Sequence, residues 1–520
     1  MFRISPPSPS AGPREWAALS VLVLAVVLLA VDGTVLFLAV PSLSATLDPT
    51  AVELLWIGDI YSFALAGLLV TMGNVADRIG RKKLLMIGAV GFGIASAMAA
   101  FAPTAGILIA ARALLGLSGA TLMPSTLSII RSMFVVPEQR TRAIAIWSAG
   151  AAGGAALGPL VGGMLLERFW WGSVFLINIP VMIVLLTLGS FLLPESKNPN
   201  TSRIDITSSL LSIATIVPIV FAIKRIFGGG IDTLTVGALI FGLVCGWLFV
   251  RRQKRSIQPL LDLELFRLPA FRGAVVSIGL AIFALTGMLF FFSQYLQLVR
   301  GMSPLQAGVA ELPATLASML VVLLVGLAVR HLGTGGSIGF GLILTSVGLI
   351  ILAYAEGLTT FTGIIIALLI IGLGVGLAST VATDAVVGSV PRERAGAASA
   401  ISETAYELGV ALGIAILGSL MTAQYRSRLP DLSALPEDIA ASVNDSLAAG
   451  LEILGSAYPD VVVSVQHAFT GGMQVTAVVA AIILFIAGVF AWRAIPRRLV
   501  VPPNDLEAPT GPVAQEAPTV

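Results

Sequence analysis

Four carboxylic acids interrupt segments of the sequence that are otherwise almost entirely apolar. Asp32 lies in LLAVDGTVLFLAV (28–40), Asp59 in LWIGDIYSFALAG (55–67), and Glu403 and Glu407 in SETAYELG (402–409). Placing an ionised acid in a membrane segment has a high free-energy cost unless the acid faces a polar path. Such an acid therefore marks an ion pathway or a binding site. Burial favours the neutral acid, and a nearby cation favours the carboxylate. Such groups can therefore exchange a proton for an organic cation.

The positions of these acids predict different roles. We expect Asp32 and Asp59 in the outer half of the membrane, with Asp32 facing a cavity between two helix bundles. Asp59 could instead lie at the polar interface beside Trp56. Glu403 and Glu407 are four residues apart and share one helix face. Glu407 lies deeper and is the sharper candidate for carrying protons, although either residue could be only a structural hydrogen-bond acceptor.

Arg112 is a basic residue inside another apolar segment, ARALLGLSGA (111–120), and needs a partner at its depth. Asp32 is the nearest acid by helix order, which suggests a switchable Asp32–Arg112 ion pair. Hydrogen bonds from Arg112 to backbone carbonyls are the alternative, and the sequence leaves both open.

Aromatic side chains near the acids could hold a cation against their π faces. Such a contact is worth about 0.5–2 kcal/mol. The candidates are Phe37, Trp56, Tyr61 and Tyr406. For any single ring, packing in the core or at the membrane interface is the simpler explanation.

The composition requires a membrane to surround the chain. Of its 520 residues, 57% are hydrophobic and 11% are charged, and the mean hydropathy is +0.98. Soluble domains carry about 25% charged residues. The single Cys245 excludes an internal disulfide or a CxxC site, and two histidines without an HExxH pattern argue against a metal centre. We therefore expect no metal, no cofactor and no nucleic-acid partner.

Fourteen segments are apolar over the roughly 20 residues that a membrane-spanning helix needs. They lie near residues 16–40, 54–75, 83–102, 105–131, 141–166, 173–194, 206–226, 233–250, 272–299, 304–329, 336–355, 359–388, 397–424 and 470–493. The predicted fold is an all-α integral membrane protein. Its parts are an N-terminal tail (1–15), a six-helix bundle (16–194), an inserted transmembrane hairpin (206–250), a second six-helix bundle (272–493) with an extracytoplasmic loop (425–469), and a disordered C-terminal tail (494–520).

The distribution of basic residues predicts the orientation. With the N-terminus in the cytoplasm, 23 of the 30 Lys and Arg residues fall in inner segments and 6, including Lys224, in outer ones. This excess places both termini in the cytoplasm.

A weak internal repeat supports two related bundles. GNVADRIGRKK (73–83) follows the second segment, and GLAVRHLG (326–333) follows the tenth. The glycines at 73 and 80 match those at 326 and 333 in spacing. Parallel repeats of this kind are one transporter architecture, with the substrate site between the halves.

The first of these loops resembles motif A of the major facilitator superfamily, G-x-L-x-D-R-x-G-R-K. Only the Leu differs, as Val75, and the matching residues are Gly73, Asp77, Arg78, Gly80, Arg81 and Lys82. An acid beside a basic cluster could form a breakable ion-pair network that holds one conformation. A plain basic loop that sets orientation is the alternative.

A second segment, GGAALGPLVGG (153–163), resembles motif C of the antiporter branch, G-x-x-x-G-P-x-x-G-G. The matching residues are Gly154, Gly158, Pro159, Gly162 and Gly163. Small residues permit close helix contact, and a proline removes one backbone hydrogen bond and kinks the helix. An ordinary packing face is the other interpretation, and it is compatible with the same role.

These motifs and VDGTVLFLAVP (31–41) together resemble the 14-span drug:proton antiporters of this superfamily, over about residues 15–495. The resemblance implies a monomer in the inner or plasma membrane that exports lipophilic cations, such as quaternary ammonium antiseptics, dyes and drugs, in exchange for protons. It assigns Asp32, Asp59, Glu403 and Glu407 to substrate and proton handling.

Departures from the family pattern leave other functions open. Ser402 and Ser318 stand where some relatives carry further acids, so transport of doubly charged substrates is an open question. Phe37 stands where the family pattern usually has Asn, and its apolar ring favours hydrophobic cations. A dedicated exporter of an endogenous lipid, siderophore or antibiotic is the main alternative. A membrane-embedded enzyme fits less well, because no GxSxG or Walker A loop is present.

Overall fold

The computed structural model describes residues 10–197, 205–228, 230–256, 263–390, 395–455 and 457–497. These residues form eighteen α-helices: α1 (Pro13–Leu47), α2 (Ala51–Ile79), α3 (Arg81–Ala100), α4 (Ala105–Met133), α5 (Pro137–Arg168), α6 (Ser173–Leu176), α7 (Asn178–Leu192), α8 (Ile206–Gly228), α9 (Thr233–Arg255), α10 (Pro269–Gln294), α11 (Pro304–Leu320), α12 (Val322–Glu356), α13 (Thr362–Gly388), α14 (Ala395–Leu412), α15 (Gly418–Arg428), α16 (Glu437–Asp445), α17 (Leu447–Leu454) and α18 (Pro459–Ala494). Single π-helical turns extend α10 and join α14 to α15.

Short polar residues define several helix starts. The hydroxyl of Thr50 accepts a hydrogen bond from the backbone N–H of Glu53 at 3.3 Å, and the Thr50 N–H donates to the Glu53 carboxylate at 3.0 Å. Asp232 accepts a hydrogen bond from the Thr235 N–H at the start of α9. These caps satisfy N–H groups that have no partner within the first helical turn.

Thirteen helical segments of the described chain are long and apolar enough to cross a membrane. The difference from the fourteen predicted segments lies between residues 304 and 356. Helix α11 is 17 residues long, and a single residue, Val321, separates it from the 35-residue α12. Inside α12, Gly333 has non-helical dihedral angles of φ 75° and ψ 175°. This kink lies between the predicted segments 304–329 and 336–355, so the break between them falls inside α12.

The helices pack as two groups, which we call the N-terminal half (α1–α7) and the C-terminal half (α10–α18). In the first, α1 lies against α5 and α7, and α4 lies against α2 and α3. In the second, α12 lies against α13 and α18, and α10 lies against α13 and α14. The halves meet where α2 contacts α14 and where α5 contacts α11.

Helices α8 and α9 pair with each other, as the predicted hairpin requires, and α8 also packs along α2. Asp205, just before α8, accepts hydrogen bonds from Arg252 at 2.9–3.1 Å and from Ser208. Burial alone would raise the pKa of Asp205, but these hydrogen bonds outweigh it and lower the pKa to about 2. This ion pair closes the hairpin at the end opposite its turn.

The polar segment 425–469 contains two short helices, α16 and α17. They are separated at Ser446, whose extended backbone lets its hydroxyl cap α17. The predicted disordered tail lies outside the described residues from position 498 onward, as does most of the N-terminal tail.

Candidate functional site

Asp32 lies in the interior of the N-terminal half and has no exposed surface. Its Oδ1 accepts a hydrogen bond from the Asn178 amide at 2.7 Å, and Asn178 also donates to Ser96 at 3.1 Å. Its Oδ2 receives no hydrogen bond from the described residues. Its partners are Asn178 on α7 and Arg112 on α4, both in its own half; the predicted cavity between the halves stays a prediction.

Arg112 combines the two arrangements that the sequence left open. Its Nε donates to the Ile57 carbonyl at 2.9 Å and its Nη2 to the Gly58 carbonyl at 3.3 Å. Its Nη1 lies 3.9 Å from Asp32 Oδ2, which is an ion pair without a hydrogen bond. The guanidinium also lies 5.1 Å from the centre of the Tyr61 ring. Arg112 therefore connects Asp32 to the turn of α2 that precedes Asp59.

Asp59 has a partner that the sequence did not indicate. The Lys224 ammonium on α8 lies 2.9 Å from Asp59 Oδ1 and 2.7 Å from Oδ2. Lys224 is 1% exposed, so this residue, counted among the outer basic residues, is buried inside the protein. Its side chain carries the charge back into the protein, and Asp59 is fully buried rather than at the polar interface. Removing one partner from a buried ion pair costs about 3–5 kcal/mol, because the remaining charge is uncompensated.

Glu407 lies where the two halves meet. It belongs to α14, which contacts α2, and its carboxyl group lies near the Ser62 side chain on α2. Glu403, one turn earlier, is partly exposed, whereas Glu407 is 8% exposed. Glu407 is therefore the more buried of the two, and its role as the proton carrier stays a prediction.

The four candidate aromatic residues have separate surroundings. Phe37 is buried and packs edge-to-face with Phe290 at 5.9 Å, which joins α1 to α10 across the two halves. Trp56 lies under the Lys224 ammonium at 3.6 Å, and Tyr61 lies beside Arg112. Tyr406 is 40% exposed and lies apart from these rings. Resident cations therefore already occupy the faces of Trp56 and Tyr61.

Two residues of this site were absent from the sequence prediction, Asn178 and Lys224. Asn178 is a lone amide in the apolar run FLINIPVMIV (175–184), and Lys224 is the first of two adjacent basic residues near the end of α8. A polar residue inside a predicted span is the signal that could have identified both. Their partners lie 146 and 165 residues away, so the sequence could not have named them.

The motif A loop forms the tight turn between α2 and α3. Gly80 has a φ of 115°, and the Arg81 N–H donates to the Ser196 carbonyl at 3.0 Å. The Lys82 ammonium donates to the Ser190 carbonyl at 2.7 Å. Gly73 lies near Pro124 of α4, and Arg78 is exposed. The Asp77 side chain, on which the predicted ion-pair network depends, lies outside the described residues.

Motif C places α5 in close contact with helices on two sides. A Cβ on Gly154 would lie 2.5 Å from the Val27 carbonyl oxygen, and one on Gly162 would lie 2.5 Å from Val35. Gly158 faces Thr34 at still closer range.

On the other side of α5, Gly163 approaches Leu305 of α11, and the Pro159 carbonyl contacts Gly308. The small residues thus bring α5 against α1 within its own half and against α11 of the other half. Helix α5 continues through Pro159 to Arg168.

No group of three or more His, Cys, Asp or Glu residues suitable for a metal ion occurs among the described residues. Three buried carboxylates lie beside a cation, an amide or a hydroxyl: Asp32, Asp59 and Glu407. Such groups can hold or release a proton or bind a cation.

Comparison with known proteins identifies the family. Residues 22–414 match the Major Facilitator Superfamily. The multidrug efflux pump LfrA of Mycolicibacterium smegmatis is 45% identical, with 91% of this chain and 95% of LfrA covered. The methyl viologen resistance protein SmvA of Salmonella typhimurium is 35% identical, with 92% and 98% covered.

A solved structure supports the same fold. A bacterial homolog of the human lysosomal transporter Spinster, in an inward-facing and unoccupied conformation, superposes with a TM-score of 0.66 at 20% identity. The alignment covers 95% of this chain and 100% of that one. The chain is a multi-pass protein of the inner membrane, and it belongs to the Major Facilitator Superfamily.

Proposed function

We propose that this transporter exports hydrophobic organic cations in exchange for protons. The relatives LfrA and SmvA are named for multidrug efflux and for methyl viologen resistance, which supports drug export. The observation that carries the proton step is the fully buried Asp32, whose Oδ2 has no hydrogen-bond donor and lies 3.9 Å from Arg112. A carboxylate in this setting is poised to take up a proton.

Protonation of Asp32 removes the charge that attracts the Arg112 guanidinium. Arg112 then remains bound to the carbonyls of Ile57 and Gly58. Because those carbonyls belong to α2, a change at Asp32 is transmitted to the helix that contacts α14 and Glu407. We propose that Glu407 and Glu403 form the cation-binding face, since they lie at the junction between the halves.

Alternating access needs two halves that move as units, and two similar turns support that arrangement. The N–H after Gly80 donates to Ser196, beyond α7, and the N–H after Gly333 donates to Arg497, beyond α18, both at 3.0 Å. Each turn therefore docks on the chain that follows the last long helix of its own half. We propose that these halves are repeats and that residues 304–356 cross the membrane twice, turning at Gly333. This gives fourteen spans with both termini in the cytoplasm.

The test is transport in proteoliposomes with an imposed pH gradient and a cationic dye. We expect dye movement that depends on the gradient, loss of that movement in Asp32→Asn, and normal movement in Glu437→Gln, an exposed acid used as control. Dye movement that ignores the gradient, or full coupling in Asp32→Asn, contradicts the proposal.

A dedicated exporter of a self-made compound is the second candidate. A tetracenomycin C resistance and export protein of Streptomyces glaucescens is 31% identical over 80% of this chain. Export of a self-made compound does not require a positive charge on the substrate. Equal transport of neutral and cationic compounds of matched size would favour this candidate.

A further inference from the structure

Helix α8 of the hairpin is held in one register along α2. The Thr71 and Ser209 hydroxyls are 2.5 Å apart near one end of the contact. Phe63 and Val220 belong to a small apolar cluster farther along it. Lys224 reaches Asp59 at the other end. The ammonium is therefore delivered to Asp59 by a continuous helix interface rather than by a mobile loop.

The surroundings of the Lys224 ammonium are those of a binding site for an organic cation. The charge lies 2.7 and 2.9 Å from the two carboxylate oxygens of Asp59 and 3.6 Å from the centre of the Trp56 ring. A carboxylate with an aromatic face is an arrangement that recognises alkylammonium groups. Asp59 and Lys224 are both buried, so water does not compete for the charge.

We propose that Lys224 is a tethered cation that occupies a second cation-binding site, formed by Asp59 and Trp56, and excludes substrate from it. With this site filled by the chain itself, the transporter handles singly charged cations. Removal of Lys224 opens the site and extends transport to dications. The extension of transport to dications rests on the proposed export of organic cations. Occupancy of the Asp59–Trp56 site by Lys224 does not depend on that proposal.

The competing explanation is that the ion pair only fastens α8 to α2. The two explanations differ when the ammonium is supplied from solution. Lys224→Ala removes the atoms of n-propylammonium, so this ion fits the vacated space and reaches Asp59. A purely mechanical pair cannot be restored by a small ion that does not link the helices.

The first experiment is thermal unfolding of the purified full-length protein with increasing n-propylammonium, with n-propanol as a neutral control. We expect a saturable rise in melting temperature for Lys224→Ala, and none for wild type or for Asp59→Asn/Lys224→Ala. Arg225→Ala is a matched control, because Arg225 directly follows Lys224 in the sequence and forms an exposed ion pair with Asp232. It should also show no saturable response.

Equal responses in the single and double variants overturn the inference, as does the absence of a rise for Lys224→Ala. It is also overturned if Lys224→Ala is recovered unfolded with and without n-propylammonium while the double variant folds.

The second experiment compares methyl viologen, a dication, with ethidium, a monocation, in proteoliposomes. We expect the methyl viologen to ethidium transport ratio to rise about tenfold in Lys224→Ala, which corresponds to about 1.4 kcal/mol of selectivity. Loss of Asp59 in the double variant should abolish the gain. An unchanged ratio overturns the dication step. If wild type moves no cation, the proposed function fails, whereas the unfolding experiment still decides whether the site exists.

Discussion

Substitution of Gly154 by alanine should separate α1 from α5 near Asp32. The new methyl group would lie 2.5 Å from the Val27 carbonyl oxygen and 2.9 Å from the Ala30 Cβ, whereas carbon contacts are optimal near 3.5–4.0 Å. Backbone must therefore shift by about an ångström, and overpacking of this kind costs about 1–3 kcal/mol. Val27 and Ala30 precede Asp32 on the same helix, so the shift also moves Asp32 relative to its partners on other helices.

The neighbouring glycine supplies the matched control. A Cβ on Gly153 would meet nothing within 4 Å. Both substitutions gain the same helix propensity, up to about 1 kcal/mol, so their difference isolates the contact with α1. An added Ala30→Gly change should restore only part of the loss, because the contact with the Val27 carbonyl remains.

The assay measures thermal unfolding and dye transport for both variants at matched expression. We expect Gly154→Ala to melt several degrees lower than Gly153→Ala and to transport less. Equal stability and equal transport would refute the reasoning, because they would show that α1 and α5 are not in the close contact described.

Three further outcomes are expected. Asn178→Ala removes the 2.7 Å hydrogen bond to Asp32, which should cost about 1–3 kcal/mol in unfolding measurements and reduce proton-driven transport; normal values for both contradict its role. Gly333→Ala forces a side chain into a conformation that costs about 1–3 kcal/mol, so it should unfold more readily than Gly326→Ala, where a Cβ meets nothing within 4 Å. Asp205→Asn should remove an acid-sensitive contribution to stability. Because the folded pKa of about 2 lies below the unfolded value, that contribution is full above about pH 4 and disappears as the pH falls through 2. Its size is about 1 kcal/mol, since its half-exposed arginine partner is screened by water. An equal loss of stability in acid for the variant and wild type would exclude this ion pair as the cause.

The family match confirms what the motifs indicated, whereas the roles of the individual acids stay predictions. Asp32 and Asp59 could be selected from sequence because a charge in an apolar run stands out without any knowledge of its neighbours. The network proposed for the motif A loop remains untested, since the Asp77 side chain lies outside the described residues.

The sequence by itself determined that this protein is embedded in a membrane, that it is helical, and to which family it belongs. Those properties depend on hydropathy and on short motifs, which are local along the chain. The tertiary structure decided what each buried charge meets: Asn178 for Asp32, and Lys224 for Asp59. These partners lie on helices whose relative rotation and depth depend on packing across the whole bundle. Helical periodicity does not encode such contacts, so only the folded chain shows that Asp59 is already paired with a lysine.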